Sequence, residues 1–151
     1  MTMISSSLPG RAGLLAAPLI LSLFAMGCSS GGPLPSAAPD NPLPECPASP
    51  NCERITTAYA APADRLFARV QEALRTLGPA RLRLQPDSMR AAAVYRVALV
   101  FKDDLEVAVE SRSDGSRLHV RSASRVGHSD LGVNRRRVHR LLDAVDAAAA
   151  D

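Results

Sequence analysis

The N-terminal segment constrains the fold more than any other feature of the sequence, because its composition indicates that it takes no part in a packed core. The apolar stretch 12–26 follows a short start whose only charge is Arg11, which is the pattern of an export signal. An apolar run of about 15 residues is also too short for a membrane-spanning helix, which needs roughly 20. We therefore expect residues 1–27 to be a signal peptide with no part in the mature fold.

Cys28 ends this segment in the manner of a bacterial lipoprotein precursor. Ala25 and Gly27 place small residues three positions and one position before the cysteine, as lipoprotein signal peptidase requires. An ordinary cleaved signal or an uncleaved anchor, with Cys28 incidental, is the alternative. Ser29 after an acylated cysteine favours sorting to the outer membrane. We thus predict a palmitate-carrying lipoprotein of the bacterial cell envelope, held by Cys28 at the periplasmic face of the outer membrane.

The mature chain divides into a tether and one domain. Residues 28–44 are rich in Pro, Ser and Gly, and such a composition cannot bury a core and stays extended. Residues 45–151 remain for folding, and roughly 100 residues can bury one modest core. We therefore predict a single domain over residues 45–151.

Charge and aromatic content argue against some partners. Removal of residues 1–27 removes only Arg11 among the charged residues, so 17 basic and 15 acidic side chains leave a net charge of +2. This small excess, together with export, argues against a nucleic-acid partner. Aromatic residues make up 3% of the chain and Trp is absent, which argues against surfaces that stack on bases or sugars.

Two further cysteines, Cys46 and Cys52, enclose a short loop that contains Pro47 and Pro50. In an oxidising envelope the simplest interpretation is a disulfide between them. Free or redox-active thiols and a metal site are the alternatives, although two cysteines without a nearby His are too few ligands for a metal. We predict the disulfide, no metal site and no cofactor.

Two helices are predicted from hydrophobic periodicity and end signals. The first opens at 61–64, where Pro62 and Asp64 suit a first turn, and ends at Gly78-Pro79. The second begins at the capping pair Ser129-Asp130 and continues to about Ala148. Both carry an apolar stripe at helical spacing, so each should pack on another layer.

Between the helices, apolar residues alternate with polar ones, which indicates antiparallel strands. The alternating segments are 82–84, 91–101, 105–109 and 118–120. Residues 113–116 form a hairpin turn signal between the last two. The order of elements predicts an α+β domain, with a small antiparallel sheet of three to four strands and two amphipathic helices packed on one face.

The densest polar information lies in residues 120–138, which lead from a strand end through a loop into a helix start. Free backbone N–H groups there, beside serine and arginine side chains, suit a carboxylate or phosphate. Asp130 favours a structural role instead, because as an N-cap it occupies those donors itself, and with a nearby arginine it would lock the helix to the sheet. The candidate residues for either role are Arg121, Ser122, Ser124, Arg125, His128, Ser129, Asp130, Asn134 and Arg136.

The run Arg135, Arg136 and Arg137 is not a compact basic patch, because consecutive helical residues point about 100° apart. At least one of the three should face solvent. His119 and His139 are also expected at the surface.

A hydrolytic constellation is the alternative. His128, a nearby serine and one of Asp103, Asp104 or Asp130 supply the residue types of a nucleophilic triad, and Glu106 adds a further carboxylate. However, no Gly-x-Ser-x-Gly nucleophile elbow is present in the sequence. We assign no catalytic residue.

The run 120–138 closely resembles the corresponding run of the domain of unknown function 1499 family. Residues 46–52, 101–106 and 119–121 also match this family, so the resemblance spans about residues 45–140. It implies bacterial envelope lipoproteins among the members and no defined activity. The family often has Tyr at the position of His128, which argues against a catalytic base there because the proton affinities of the two side chains differ widely.

The favoured hypothesis is a non-catalytic binding or scaffold lipoprotein, with an anion-binding loop at residues 121–136 that recognises an anionic envelope component. The alternative is a small hydrolase that acts on an envelope substrate, with His128 and Asp130 at its centre. A third hypothesis is a protein partner that is recognised through the Cys46–Cys52 loop.

Overall fold

A computed structural model of the chain describes residues 40–98 and 100–149. The elements are β1 (Cys52–Tyr59), α1 (Ala63–Thr76), β2 (Arg81–Gln85), β3 (Arg90–Val97), β4 (Phe101–Arg112), β5 (Gly115–Ser124) and α2 (Val133–Ala147). Neighbouring strands are antiparallel, in the order β1-β5-β4-β3-β2. The predicted α+β class is confirmed, whereas the predicted signal peptide, Cys28 and residues 28–39 of the tether lie outside the described residues.

The described sheet has five strands, so the predicted three to four was wrong. The strand that the sequence analysis missed is β1, in which Ile55 and Tyr59 pack against the core while Arg54 and Thr56 make polar contacts on the other face. With so few apolar residues, β1 lacks a clear alternating pattern. It takes its place through its pairing with β5 along its whole length.

The predicted strand over 91–101 is divided in the structure. β3 ends at Val97, Ala98 adopts a positive φ of 52°, and β4 begins at Phe101. A tight turn therefore reverses the chain within an apolar run that carries no Gly, Asn or Asp to mark it. Similarly, Leu131 and Gly132 have positive φ, so α2 begins at Val133, later than its predicted cap.

One face of the sheet packs against both helices, as predicted. Inward-facing strand residues meet the apolar stripes of α1 and α2 in one core. Its fully enclosed members include Leu66, Val70, Leu74, Leu105, Leu118, Val120, Val138, Leu141 and Val145. Burial of each such side chain stabilises the fold by about 1.5–3 kcal/mol, so this layer holds the domain together.

Residues 40–44, which composition assigned to the tether, pack on the opposite face of the sheet. The Asn41 side-chain amide donates to the carbonyl oxygen of Ile55 at 3.2 Å and to Thr56 Oγ1 at 3.1 Å. The Arg54 guanidinium donates to the carbonyl oxygens of Asn41 and Leu43. These bonds satisfy backbone groups that a Pro-rich segment cannot pair internally, so the domain begins before residue 45.

Gly115 at the start of β5 is a position that tolerates no side chain. Its φ is +140°, and an added Cβ would lie 2.1 Å from the carbonyl oxygen of Tyr59. We expect Gly115→Ala to lower the free energy of unfolding by about 3 kcal/mol, because the backbone of β1 or of the hairpin must shift. Urea unfolding monitored by circular dichroism measures this change.

Gly78→Ala is the matched control. Gly78 also has a positive φ, +61°, but nothing lies within 4 Å of an added Cβ. The control should cost only about 1 kcal/mol, the penalty of the left-handed conformation. Equal losses for the two variants would contradict a steric role for Gly115.

Candidate functional site

A buried arginine joins α2 to the inner face of the sheet. Arg137 Nη2 donates to Asp103 Oδ2 at 2.7 Å, and Nη1 donates to Ser122 Oγ at 3.1 Å and to Asn134 Oδ1 at 2.7 Å. Arg137 is 5% exposed and Asp103 is 1% exposed. Two charges withdrawn from water require close pairing and further hydrogen bonds, and here the pair receives both.

Asn134, one turn before Arg137, is the centre of the hydrogen bonds around this pair. Its side-chain amide donates to Ser124 Oγ at 2.9 Å, to the Asn51 carbonyl oxygen at 3.0 Å and to Asp130 Oδ2 at 2.7 Å. Its side-chain oxygen accepts from Ser122 Oγ at 2.6 Å. We call Asp103, Ser122, Ser124, Asp130, Asn134 and Arg137 the Arg137 network.

Asp130 occupies the backbone donors at the start of α2. Its carboxylate accepts from the N–H of Gly132 at 2.9 Å and from the N–H of Asn134 at 2.6 Å. Burial alone would raise the pKa of Asp130, but these bonds and the Asn134 side chain hold it below its usual value. The helix start that the sequence offered as an anion site is therefore filled by the protein's own carboxylate.

The arginines predicted to surround Asp130 have other partners. Arg125 donates to both carboxylate oxygens of Asp104, at 2.9 and 2.8 Å. Arg121 lies 3.5 Å from a carboxylate oxygen of Glu106, and Arg136 donates to a loop carbonyl at 2.9 Å. All three are engaged with acceptors within the domain.

The residues of the hydrolytic alternative are not brought together. His128 and Ser129 are exposed, and within residues 40–98 and 100–149 His128 makes no hydrogen bond. Ser122 is fully buried and committed to Arg137 and Asn134. The carboxylate of Asp130 caps its own helix, so the structure assembles no nucleophile, base and acid in one cleft there.

Arg137 is the principal site residue that sequence reasoning missed. Arg135 and Arg136 are exposed and Arg137 is buried, so the three arginines do diverge as expected. Asn134 and Arg137 lie on the same helical face as the apolar stripe of Val138, Leu141 and Val145. This spacing was the signal that would have identified Arg137 as the buried arginine.

Beside the Arg137 network lies a cavity of about 330 Å³, between the end of α1, the end of β3 and the start of α2. We call it the Tyr95 cavity. Its lining residues are Leu77, Tyr95, Arg96, Val97, Ala98, Val133, Arg137 and Arg140. Three arginines and no carboxylate line it; Arg137 is already paired with Asp103, so the positive charge of the wall comes from the exposed Arg96 and Arg140.

Tyr95, one of the residues that line this cavity, carries a buried hydroxyl. The guanidinium carbon of Arg137 lies 4.8 Å from the centre of the Tyr95 ring, a cation–π contact. The Tyr95 hydroxyl is buried and has no hydrogen-bond partner in the described part of the chain. Burial raises the pKa of Tyr95, against the opposite effect of Arg137 and Arg140, so the hydroxyl keeps its proton and is able to donate it in a hydrogen bond.

The predicted disulfide between Cys46 and Cys52 is confirmed, with Cα atoms 5.7 Å apart. The ring holds Asn51, which is 5% exposed and reaches two other elements. Its carbonyl oxygen accepts from the backbone N–H of Ser124 at 3.0 Å and from the Asn134 amide, and its side chain donates to the Gly127 carbonyl oxygen. The disulfide loop thus supports the Arg137 network from the β1 side.

His119 was expected at the surface, and this expectation was wrong. Its side chain is fully buried, with Nδ1 2.9 Å from Thr56 Oγ1 and Nε2 3.4 Å from Glu110 Oε2. The alternating pattern assigns it to the outer face of β5, but residues 40–44 bind that face through β1. Burial lowers the pKa of His119, and Glu110 opposes this only in part.

The described residues offer neither a metal cluster nor a membrane span. Within residues 40–98 and 100–149, no group of three or more His, Cys, Asp or Glu residues is placed to hold a metal ion. Of the two described α-helices, neither has the length and apolar character needed to cross a membrane.

The fold and the site together define a small α+β domain, in which a buried arginine network closes one end of the interface between helices and sheet. The family described as Protein of unknown function (DUF1499) matches residues 42–145. This chain belongs to that family.

Two of the solved structures that are similar to this chain, StfQ and Ara h 8.0201, share its fold at low sequence identity. The di-domain ARO/CYC StfQ from the steffimycin biosynthetic pathway aligns with a TM-score of 0.52 and 18% identity over 64% of this chain. Ara h 8.0201 aligns with a TM-score of 0.51 and 10% identity, over 66% of this chain and 98% of its own. Protein CV1439 from Chromobacterium violaceum has a TM-score of 0.48 and 14% identity, over 65% of this chain and 96% of its own.

The chain spans only 44% of the length of StfQ. No curated protein matches the sequence.

The adjacent acids Asp103 and Asp104 allow a direct test of the Arg137 network. Asp103→Asn leaves the buried charge of Arg137 without its counter-charge, so we expect a loss of about 3 kcal/mol in the free energy of unfolding. Asp104→Asn breaks only the partly exposed pair with Arg125 and should cost less than about 1 kcal/mol. Urea unfolding at pH 7 measures both, and equal losses would contradict the structural role of Asp103.

The buried His119 predicts a pH dependence of stability. Because its pKa in the fold lies below its ordinary value of 6.5, its contribution is complete above pH 6.5 and is lost as the pH falls toward the folded pKa. Stability should therefore fall between pH 7 and pH 5. Asp130 does not contribute in this range, because its pKa is lowered from 3.8.

His119→Gln should flatten this profile, since the side chain no longer gains a proton on unfolding. The exposed His139 supplies the control, and His139→Gln should leave the slope as it is. Thermal unfolding at half-unit pH intervals measures the slopes. A wild-type profile that stays flat from pH 7 to pH 5 would refute this role for His119.

Proposed function

We propose that this protein is a lipid-anchored component of the bacterial cell envelope whose domain has a non-catalytic binding role. The proposed anchor is the acylated Cys28, after removal of residues 1–27, at the periplasmic face of the outer membrane. The support for this part is sequence alone: the apolar stretch before Cys28, the small residues Ala25 and Gly27, and Ser29 after it.

For the ligand site we propose the Tyr95 cavity and not the loop 121–136. The loop has the expected residue types, but Asp130 fills its helix start and Arg125 is held by Asp104. The positive side chains of the cavity are less completely engaged. Arg137 uses three of its five N–H donors, and the Tyr95 hydroxyl has no partner among the described residues.

The chemistry of the wall indicates the class of ligand. Arg96, Arg137 and Arg140 favour an anionic group, and bidentate geometry makes arginine well suited to carboxylate or phosphate. Leu77 and Val133, with the aliphatic end of β3, offer an apolar surface beside them. We therefore propose a small molecule with a carboxylate or phosphate head and a short apolar body, which suits a cavity of about 330 Å³.

The same side chains favour binding over catalysis. Arginine stays charged in proteins, and burial raises the pKa of Tyr95, so neither group exchanges a proton near neutral pH. The fold is shared with an ARO/CYC protein and with Ara h 8.0201, but a shared fold at 10–18% identity does not by itself assign a role. The single observation that carries our proposal is that Tyr95, whose ring contacts Arg137 and whose buried hydroxyl has no partner among the described residues, lines this cavity.

Isothermal titration of residues 40–151, which hold the whole described core, tests the ligand class. The probes are hexanoate, hexyl phosphate and neutral hexanol. We expect both anions to bind and hexanol to bind at least about tenfold more weakly, since it lacks the charge-assisted hydrogen bonds. Comparable binding of hexanol would refute an anion site.

Variants locate the site. Tyr95→Phe removes one donor and should weaken the bound anion about fivefold, while Arg140→Gln should weaken it about tenfold. Arg135→Gln is the control, because this exposed arginine does not line the Tyr95 cavity. Equal affinities of the wild type and Tyr95→Phe would exclude the cavity as the binding site.

A further inference from the structure

The exposed large apolar side chains are gathered at one end of the sheet. Among the described residues they are Val100, Phe101, Val126 and Leu131, with exposures of 50–86%. Val100 and Phe101 lie at the turn between β3 and β4, and Val126 and Leu131 lie in the loop between β5 and α2. Scattered exposed apolar residues need no explanation, whereas a cluster indicates an interaction surface.

The two loops that carry these residues are neighbours. The backbone N–H of Arg125 donates to the Lys102 carbonyl oxygen at 3.0 Å, which places Val126 beside Phe101 at the end of the sheet. We call Val100, Phe101, Val126 and Leu131 the apolar tip.

Basic side chains adjoin the apolar tip on the outer face of the sheet. Arg96 and Lys102 are directly opposite each other in the β3–β4 pair, an arrangement of like charges that destabilises a sheet. With Arg81 and Arg125 they line a hollow of about 130 Å³. Within the described residues, only Arg125 of these four has an ion-pair partner, Asp104.

We propose that the apolar tip and this cationic hollow form a docking surface for an anionic lipid bilayer. The tip would enter the boundary between headgroups and acyl chains, and Arg96 and Lys102 would contact lipid phosphates. Apolar residues beside cations are the combination that holds proteins at anionic membrane surfaces. The phosphates would relieve the repulsion between the opposed Arg96 and Lys102, neither of which has an ion-pair partner among the described residues.

The opposite end of the sheet lacks this combination. There the β4–β5 turn consists of Ser113 and Asp114, both exposed, and Asp40 pairs with Arg117. Arg117 and Ser124 are seven residues apart along β5, or about 23 Å. A chain from Cys28 to Asp40 is able to extend up to about 40 Å, so an anchor at Cys28, which belongs to the proposed function, permits the tip to reach the bilayer.

The absence of Trp from the chain makes a single-tryptophan experiment possible. The full chain is mixed with vesicles, and for every variant the fluorescence is measured on the vesicle-bound fraction after flotation. The vesicles are made of phosphatidylglycerol or of phosphatidylcholine, in each case with brominated acyl chains that quench tryptophan fluorescence. Phe101→Trp reports on the tip, and Ser113→Trp is the matched control at the opposite end.

We expect quenching of the Phe101→Trp variant in phosphatidylglycerol to exceed that in phosphatidylcholine by about twofold or more, and to fall at high salt. The Ser113→Trp variant should be quenched little in either lipid. Adding Arg96→Gln and Lys102→Gln to Phe101→Trp should abolish the difference between the lipids. If the Phe101→Trp variant loses cooperative unfolding, Val126→Trp takes its place.

Equal quenching at the two ends, or equal quenching of the tip in both lipids, would overturn the proposal. The experiment uses no small anion and does not require acylation of Cys28, so its failure is distinguishable from failure of the proposed ligand site or anchor.

Discussion

The ion pair between Arg137 and Asp103 is the interaction on which the rest of the structure depends. Two charges buried between α2 and β4 are tolerable only if they are paired and hydrogen-bonded; Arg137 donates to Asp103 and also to Ser122 and Asn134. The pair therefore restricts how α2 lies on the sheet, because a shifted helix would leave a buried charge without its partner. Hydrophobic contacts alone would permit more than one placement of the helix.

Residues of β1, β5 and α2 that are far apart in the sequence meet around the Arg137 network. The Cys46–Cys52 ring restrains Asn51, whose carbonyl oxygen accepts from both Ser124 and Asn134. The start of β1, the end of β5 and the start of α2 thus meet at one residue. A short disulfide loop is consequently a positioning element for the site as well as a source of stability.

Periodicity and composition were sufficient to predict both helices, most strands, the common helical face of the sheet and the disulfide. They did not reveal β1, because Thr57 lies between Ile55 and Tyr59 on its inner face and leaves too few apolar residues for a clear alternating pattern. The burial of His119 was missed for a different reason, since residues 40–44, assigned to the tether, pack on the face to which His119 belongs. We expected an arginine of the loop to form an ion pair with Asp130. In the structure, Arg125 instead forms an ion pair with Asp104, because of the register between neighbouring strands. The hydrophobic pattern alone does not specify that register.

Arg96 relates the two proposed sites physically, because it borders both the Tyr95 cavity and the cationic hollow. An anion on either side of β3 would lower the positive potential that an anion on the other side experiences, and because Arg96 is exposed, solvent and salt screen this effect. The proposed ligand next to Arg137 and the proposed contact of Lys102 with phosphates would therefore compete weakly for one shared charge. The end of the sheet next to the Arg137 network is thus the part of the domain that combines a buried ion pair, basic side chains and exposed apolar side chains.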